Sequence, residues 1–166
     1  MRVLKAIIFS AVILCLSCDE DDYNKNEFRC VINGERLSVP DDGVRIFDKY
    51  PPTYIRWVDS SRKSLLIYGE LRGNPYERHL IEMKLDSFTG VGTYTYPRLR
   101  GTLKSDIGYS FYNMNIDTTV QAVLQLNYFN VTNGAAGYFH FMAVDSLSNL
   151  RVPVTNGRFN LKWLKY

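Results

Sequence analysis

Apolar and polar residues alternate with period two along most of this chain. Between His79 and Leu85, Ile81, Met83 and Leu85 are opposed by Glu82 and Lys84. Between Val120 and Tyr128, Ala122, Leu124, Leu126 and Tyr128 face one way, and Gln121, Gln125 and Asn127 the other. Between Arg158 and Lys165, Phe159, Leu161 and Trp163 oppose Arg158, Asn160 and Lys162. Such alternation predicts strands with one buried face, and no stretch sustains a helical period. Gly137 to Val144 is apolar on both faces, which predicts a central strand. Tyr54 to Val58 and Ser64 to Leu71 read as further strands.

Turn chemistry separates these runs. Asn33-Gly34 follows Val31-Ile32 and predicts a tight hairpin, because Asn and Gly accept the positive φ angles of a type I′ turn. Pro40 to Gly43, Ser60 to Lys63 and Arg72 to Pro75 read as turns, and Asn156-Gly157 precedes the last strand. Gly90 to Pro97 is a Gly-rich approach to a short strand. Between Arg98 and Thr118 the alternation weakens, which predicts a long loop with one strand near Tyr109 to Met114. The links are too short for crossovers, so the fold is all-β and antiparallel. A two-sheet β-sandwich is the first expectation and a lipocalin-like β-barrel the alternative.

The N-terminal segment has a different pattern. Arg2 and Lys5 precede an apolar run from Ala6 to Leu16, broken only by Ser10. That is the charged start and short apolar centre of an export signal. A spanning helix needs about 20 apolar residues, whereas this run stops at Ser17-Cys18 and meets Asp19-Glu20-Asp21-Asp22. The stop resembles a bacterial lipobox, in which a small residue precedes the lipidated Cys. The usual Leu three residues before that Cys is here Cys15, flanked by Leu14 and Leu16. The expected division is a cleaved signal peptide over 1–17, lipidation at Cys18, an acidic tether over 18–26 and a single β domain over 27–166. Two or more acyl chains on Cys18 would hold the protein stably at a membrane.

Cleavage at that point changes the charge and the redox reading. Arg2 and Lys5 leave with the leader, so 20 basic residues become 18 against 17 acidic ones. A nearly neutral domain without a basic stripe does not suggest nucleic acid. Cys15 leaves and Cys18 carries lipid, so only Cys30 remains as a thiol. No intramolecular disulfide is then possible, even in an oxidising compartment. Cys30 lies in Phe28-Arg29-Cys30-Val31-Ile32 and reads as a small buried apolar residue.

Several segments together resemble a group of small Bacteroidota lipoproteins classed only as domains of unknown function. They are Phe28-Arg29-Cys30-Val31-Ile32-Asn33-Gly34, Gly92-Thr93-Tyr94, Gly137-Tyr138-Phe139-His140-Phe141 and Thr155-Asn156-Gly157-Arg158-Phe159. Leu37 stands where that group often has Trp. The resemblance implies a β fold and a lipoprotein at the outer membrane. The acids after Cys18 resemble the signal for display on the cell surface, with a periplasm-facing anchor as the alternative. The resemblance carries no catalytic residues.

Searches for chemistry return little. His79 and His140 both lie within apolar strand patterns and read as structural histidines, not zinc ligands. There is no Gly-x-Ser-x-Gly elbow and no phosphate-binding Gly-rich loop leading into a helix. Glu70, Glu82, Asp86, Asp106, Asp117 and Asp145 are scattered, whereas a glycosidase needs two carboxylates at a set separation. No cofactor or metal is implied. The twelve tyrosines are the positive hint, since a flat apolar ring with a polar tip suits sugars and proteins. Tyr94, Tyr96, Tyr109 and Tyr112 surround the weakly patterned middle and are the candidate ligand contacts. The expected function is a non-enzymatic binding or accessory module of the cell envelope, for a glycan or an envelope protein. A structural or assembly component without a small ligand, or a glycan-acting hydrolase, are the alternatives.

Overall fold

A computed structural model describes residues 26–39, 51–72, 77–107 and 110–164. The expected leader, Cys18, nearly all of the tether, Tyr109 and the turn at Pro40 to Gly43 lie outside the described residues. Among the described residues eleven strands follow one another: β1 (Glu27–Ile32), β2 (Glu35–Ser38), β3 (Thr53–Trp57), β4 (Leu65–Arg72), β5 (Arg78–Leu85), β6 (Gly92–Tyr94), β7 (Leu99–Ile107), β8 (Ser110–Ile116), β9 (Val123–Asn130), β10 (Gly134–Val144) and β11 (Arg151–Lys162). All strand pairs are antiparallel.

Eight strands close a ring in the order β11-β1-β2-β4-β5-β7-β8-β10, with β10 returning to β11. The barrel, the alternative reading, is therefore the fold adopted. Two forked seams explain why a sandwich reading comes close. β4 carries β3 along residues 65–69 and meets β2 at the single pair Ser38↔Arg72. β10 carries β9 along residues 134–140 and meets β8 only at Ala143↔Ile116 and Val144↔Asn115. So few pairs join the two walls that alternation within any one strand cannot signal the closure.

Inward side chains fill the barrel with one apolar cluster. Phe28, Ile67, Ile81, Leu103, Leu124, Phe139 and Phe159 belong to it. Burying each such side chain contributes roughly 1.5–3 kcal/mol, and among the described residues no disulfide assists. At the end where Trp57 of β3 meets Phe129 of β9 and Trp163 just past β11, aromatic rings form a lid. Trp57 stacks on Trp163 at 5.3 Å, and Phe88 packs on Phe129 at 4.7 Å. Trp163 Nε1 donates to the Asn130 carbonyl at 2.8 Å, and the Leu164 amide donates to the Ile55 carbonyl at 2.9 Å.

Three local readings change. The expected loop after Arg98 is the β7–β8 hairpin. Its signal is weak because small residues take inward positions of β7: Gly101 stands so close to Glu82 that a Cβ would lie 2.3 Å from that carbonyl oxygen, and Ser105 is buried. In β9, an extra residue between Leu126 and Tyr128 reverses the alternation. Phe129 therefore joins the core where period two predicts Tyr128. Asn156-Gly157 is no turn but a bulge inside the twelve-residue β11. A bulge needs a residue at positive φ as a tight turn does, and Asn156 has φ 51°. By contrast, Asn33 (φ 49°) and Gly34 (φ 87°) form the expected hairpin, with Ile32 opposite Glu35.

Candidate functional site

The bulge in β11 shapes the outer face of the barrel. Thr155 to Gly157 oppose one residue too few on both β1 and β10. A bulged strand bends and twists more strongly, so the face of β2-β1-β11-β10-β9 becomes concave. A groove of about 520 Å³ lies there, lined by outward side chains that include Arg29, Arg36, Gln125, Tyr138, His140 and Arg158. Each reaches it by simple alternation. Phe28, Cys30, Phe139 and Phe159 point inward, so their neighbours point out.

The groove is electropositive. Arg29 pairs with Glu27 at 2.8 Å, and Arg158 lies 3.6 Å from the same carboxylate. Arg36 is exposed and makes no ion pair with a described residue. Arg29 and Arg158 thus both reach Glu27, and among the described residues no carboxylate lines the groove itself. Tyr138 is 42% exposed, with the Arg158 guanidinium 5.8 Å from its ring centroid. Arg forks match carboxylate, sulfate or phosphate oxygens in pairs. Gln125 and Asn156 add amide donors and acceptors. This arrangement suits holding an anion, and it offers no paired acid and base.

The tyrosines selected from sequence do not assemble a rim. Tyr94 is only 2% exposed, inside the aromatic lid. Its hydroxyl donates to the Gly90 carbonyl at 2.5 Å and accepts from the Thr89 amide at 3.2 Å. Tyr94 is therefore a core residue, because its ring completes the lid and its polar tip is satisfied within the chain. Tyr96 is 54% exposed, beside the cis peptide bond to Pro97. Tyr112 packs partly against the core from β8. Tyr109 lies outside the described residues. None of the three described tyrosines lines the groove.

The two histidines part company. His79 is buried, its Nδ1 2.6 Å from Ser105 Oγ, and burial pushes its pKa below the ordinary value. His140, in contrast, is exposed on the groove wall, because β10 turns its polar positions outward. Cys30 is buried, and burial raises its thiol pKa to about 12. Several of the scattered acids are engaged locally. Glu70 takes a bidentate pair from Arg78 at 3.0 and 3.1 Å. Asp86 binds Lys84 and Arg100, which hold its carboxyl below the usual range, hydrogen bonding to Arg100 first. Asp117 accepts from Thr119 at 2.7 and 2.9 Å and pairs with Arg151. Among the described residues no three His, Cys, Asp or Glu converge as a metal site.

Sequence reasoning passes over Arg29, Arg36, Tyr138 and Arg158 because each is one polar position on a half-buried strand. A usable signal is the outward set of the Gly137–Phe141 and Thr155–Phe159 segments, which place Tyr138, His140 and Arg158 on one face once pairing is known. Comparison of the chain with protein-family models, with curated proteins and with solved structures finds no match.

Proposed function

We propose that this protein is a lipoprotein anchored through Cys18 in the outer membrane and displayed at the cell surface. Its barrel acts there as a non-enzymatic binding module of the envelope that holds an anionic ligand in the groove of β1, β2, β9, β10 and β11. The observation that carries the reading is the gathering of Arg29, Arg36 and Arg158 along a concave face whose lining holds no carboxylate among the described residues. A charged ligand would exchange its hydration for paired guanidinium hydrogen bonds.

The test is retention of the detergent-purified full-length chain on an immobilised polyanion, polygalacturonate, against neutral dextran. Arg36→Glu should weaken retention at least tenfold. Lys104→Glu makes the same charge change on the outer side of β7, away from the groove, and should leave retention nearly unchanged. Equal weakening by both variants would reduce the effect to net charge and overturn the groove reading. For the anchor, Cys18→Ala should abolish membrane partitioning. Replacement of Asp19 to Asp22 by Ala should lower surface exposure while lipidation persists.

A further inference from the structure

We infer that the aromatic-lid pole of the barrel is a membrane-docking surface, whose loop tips settle on the anionic lipid bilayer that holds the anchor. The inference rests on the lipid-anchor reading above and adds which end of the domain meets the lipid. Three observations support it.

First, the chain enters the barrel at this pole. The Lys162 amide donates to Asn26 Oδ1 at 3.1 Å, one residue before the lid ring of Trp163, and Glu27 opens β1 opposite Asn160. Asn26 stands eight positions after Cys18, and eight residues span at most about 28 Å when fully extended. An anchor on so short a tether brings the pole from which the tether springs to the bilayer first.

Second, the loop tips at this pole are apolar. The lid rings of Trp57, Phe88 and Phe129 touch one another, with centroids 5.5, 5.9 and 4.7 Å apart. Each is followed within three residues by an exposed valine: Val58 (40%), Val91 (59%) and Val131 (64%). The valines belong to three separate connections, β3–β4, β5–β6 and β9–β10, which the fold gathers at one end. An exposed apolar side chain standing alone is ordinary, whereas three around one aromatic lid form a surface suited to an apolar partner.

Third, cations flank those tips. Arg62 and Lys63 are exposed in the turn that carries Val58, and neither makes an ion pair with a described residue. Asp59, the acid of that turn, is engaged by the Ser61 hydroxyl and the Lys63 amide. Basic side chains beside an apolar tip meet lipid phosphates while the tip enters the boundary between headgroups and acyl chains. A second copy of the chain suits this pole less, because a two-fold pairing would set the same cations against each other.

The test is quenching of a fluorophore by doxyl-labelled lipid. The full-length chain, purified from its membranes in detergent, is reconstituted into vesicles of phosphatidylethanolamine with a minority of phosphatidylglycerol. The fluorophore is attached through Thr132→Cys, in the exposed β9–β10 turn at the lid pole, or through Leu147→Cys, 93% exposed in the β10–β11 turn at the far pole. The parent chain, labelled in the same way, sets the background. Quenching should be at least fivefold stronger at Thr132 than at Leu147. Val58→Asp together with Val91→Asp should cut the Thr132 signal at least threefold while the chain stays with the vesicles. Arg62→Glu together with Lys63→Glu should cut it in these vesicles and far less in phosphatidylcholine alone. All four side chains are exposed, so both variants should keep the parental melting temperature.

Equal quenching at the two poles, or none at either, in a chain that stays vesicle-bound overturns the docking pole and leaves the anchor standing. Thr132 quenching that survives both pairs of substitutions reflects the tether alone and overturns it as well. Shielding of the Thr132 label that deepens with chain concentration in lipid-free detergent gives the pole to a second copy. Mass spectrometry that finds no acyl chain on Cys18 removes the anchor reading, and substitution-sensitive quenching in that same chain would still sustain the docking pole.

Discussion

Two arginine–tyrosine stacks among the described residues have opposite character. In the aromatic lid, Arg98 lies 4.9 Å from the centroid of Tyr94; on the outer face, Arg158 lies 5.8 Å from that of Tyr138. Around Tyr94 the polar groups find partners within the chain. Its hydroxyl binds Gly90 and Thr89, and Arg98 donates to the Ser87 carbonyl, to Thr89 Oγ1 at 3.1 Å and to the Asp86 carbonyl at 3.5 Å. The stack closes a turn and seals the barrel. Around Tyr138 the ring stays half-open, and its hydroxyl makes no hydrogen bond to a described residue. The same residue pair is thus architecture in one place and an available surface in the other. What decides is how many of its polar groups the fold itself engages.

The sharpest way to break this contrast is truncation of both rings. Tyr94→Ala should cost about 3–5 kcal/mol, since it removes a buried aromatic side chain and leaves a cavity among Phe88 and its neighbours. Tyr138→Ala should cost no more than about 1 kcal/mol. Urea denaturation followed by tryptophan fluorescence measures both. Similar losses would mean that Tyr138 is structural too.

Gly157→Ala probes how far the outer groove depends on the inner core. Its Cβ would meet the Phe139 ring at 2.5 Å. The resulting overpacking should cost about 1–3 kcal/mol, and the shifted bulge should also weaken polygalacturonate retention. Lost stability with unchanged retention would show that the bulge does not shape the site.

Smaller still is removal of the hydroxyl groups alone. Tyr94→Phe should cost about 1 kcal/mol through its lost hydrogen bonds, whereas Tyr138→Phe should leave urea stability unaltered. The reverse order would overturn the assignment of an engaged and an open tyrosine.

Acid should reach the interior before it reaches the surface carboxylates. Burial lowers the pKa of His79 from 6.5, so the folded state resists a proton that the unfolded chain accepts. Stability is therefore whole above about pH 6.5 and falls progressively as the pH drops below that value. Asp86, Asp117 and Asp145 are also held low, by Arg100, Thr119 and Ser148 respectively, but their contribution is lost only as pH falls below the ordinary value of 3.8. Melting temperatures between pH 7.5 and 5 should decline in the parent and much less in His79→Gln. Equal slopes would exclude His79 as the cause.

Much of this fold is legible along the chain. Asn33-Gly34 marks its hairpin because no other two-residue pair accepts those backbone angles so readily. β5 and β11 declare their inward faces through Ile81, Met83 and Leu85, and through Phe159 and Leu161. β7 is obscured where Gly101 and Ser105 replace bulky residues at inward positions. The site is scarcely legible. Its arginines are 129 residues apart at the extremes, Arg29 and Arg158, and they meet only because β1 pairs with β11.

The sequence by itself determined most of the strand content outside β7, the antiparallel connection of neighbours and which face of most strands is apolar, because these depend on residues one or two positions apart. Tertiary structure alone decided that the sheet closes into a barrel, that Tyr94 turns inward, and that Tyr138 and three arginines share an open groove. Those outcomes depend on three seam pairs and one bulge at Asn156. Each sets the distance between segments far apart in the chain, and no local alternation encodes such a distance.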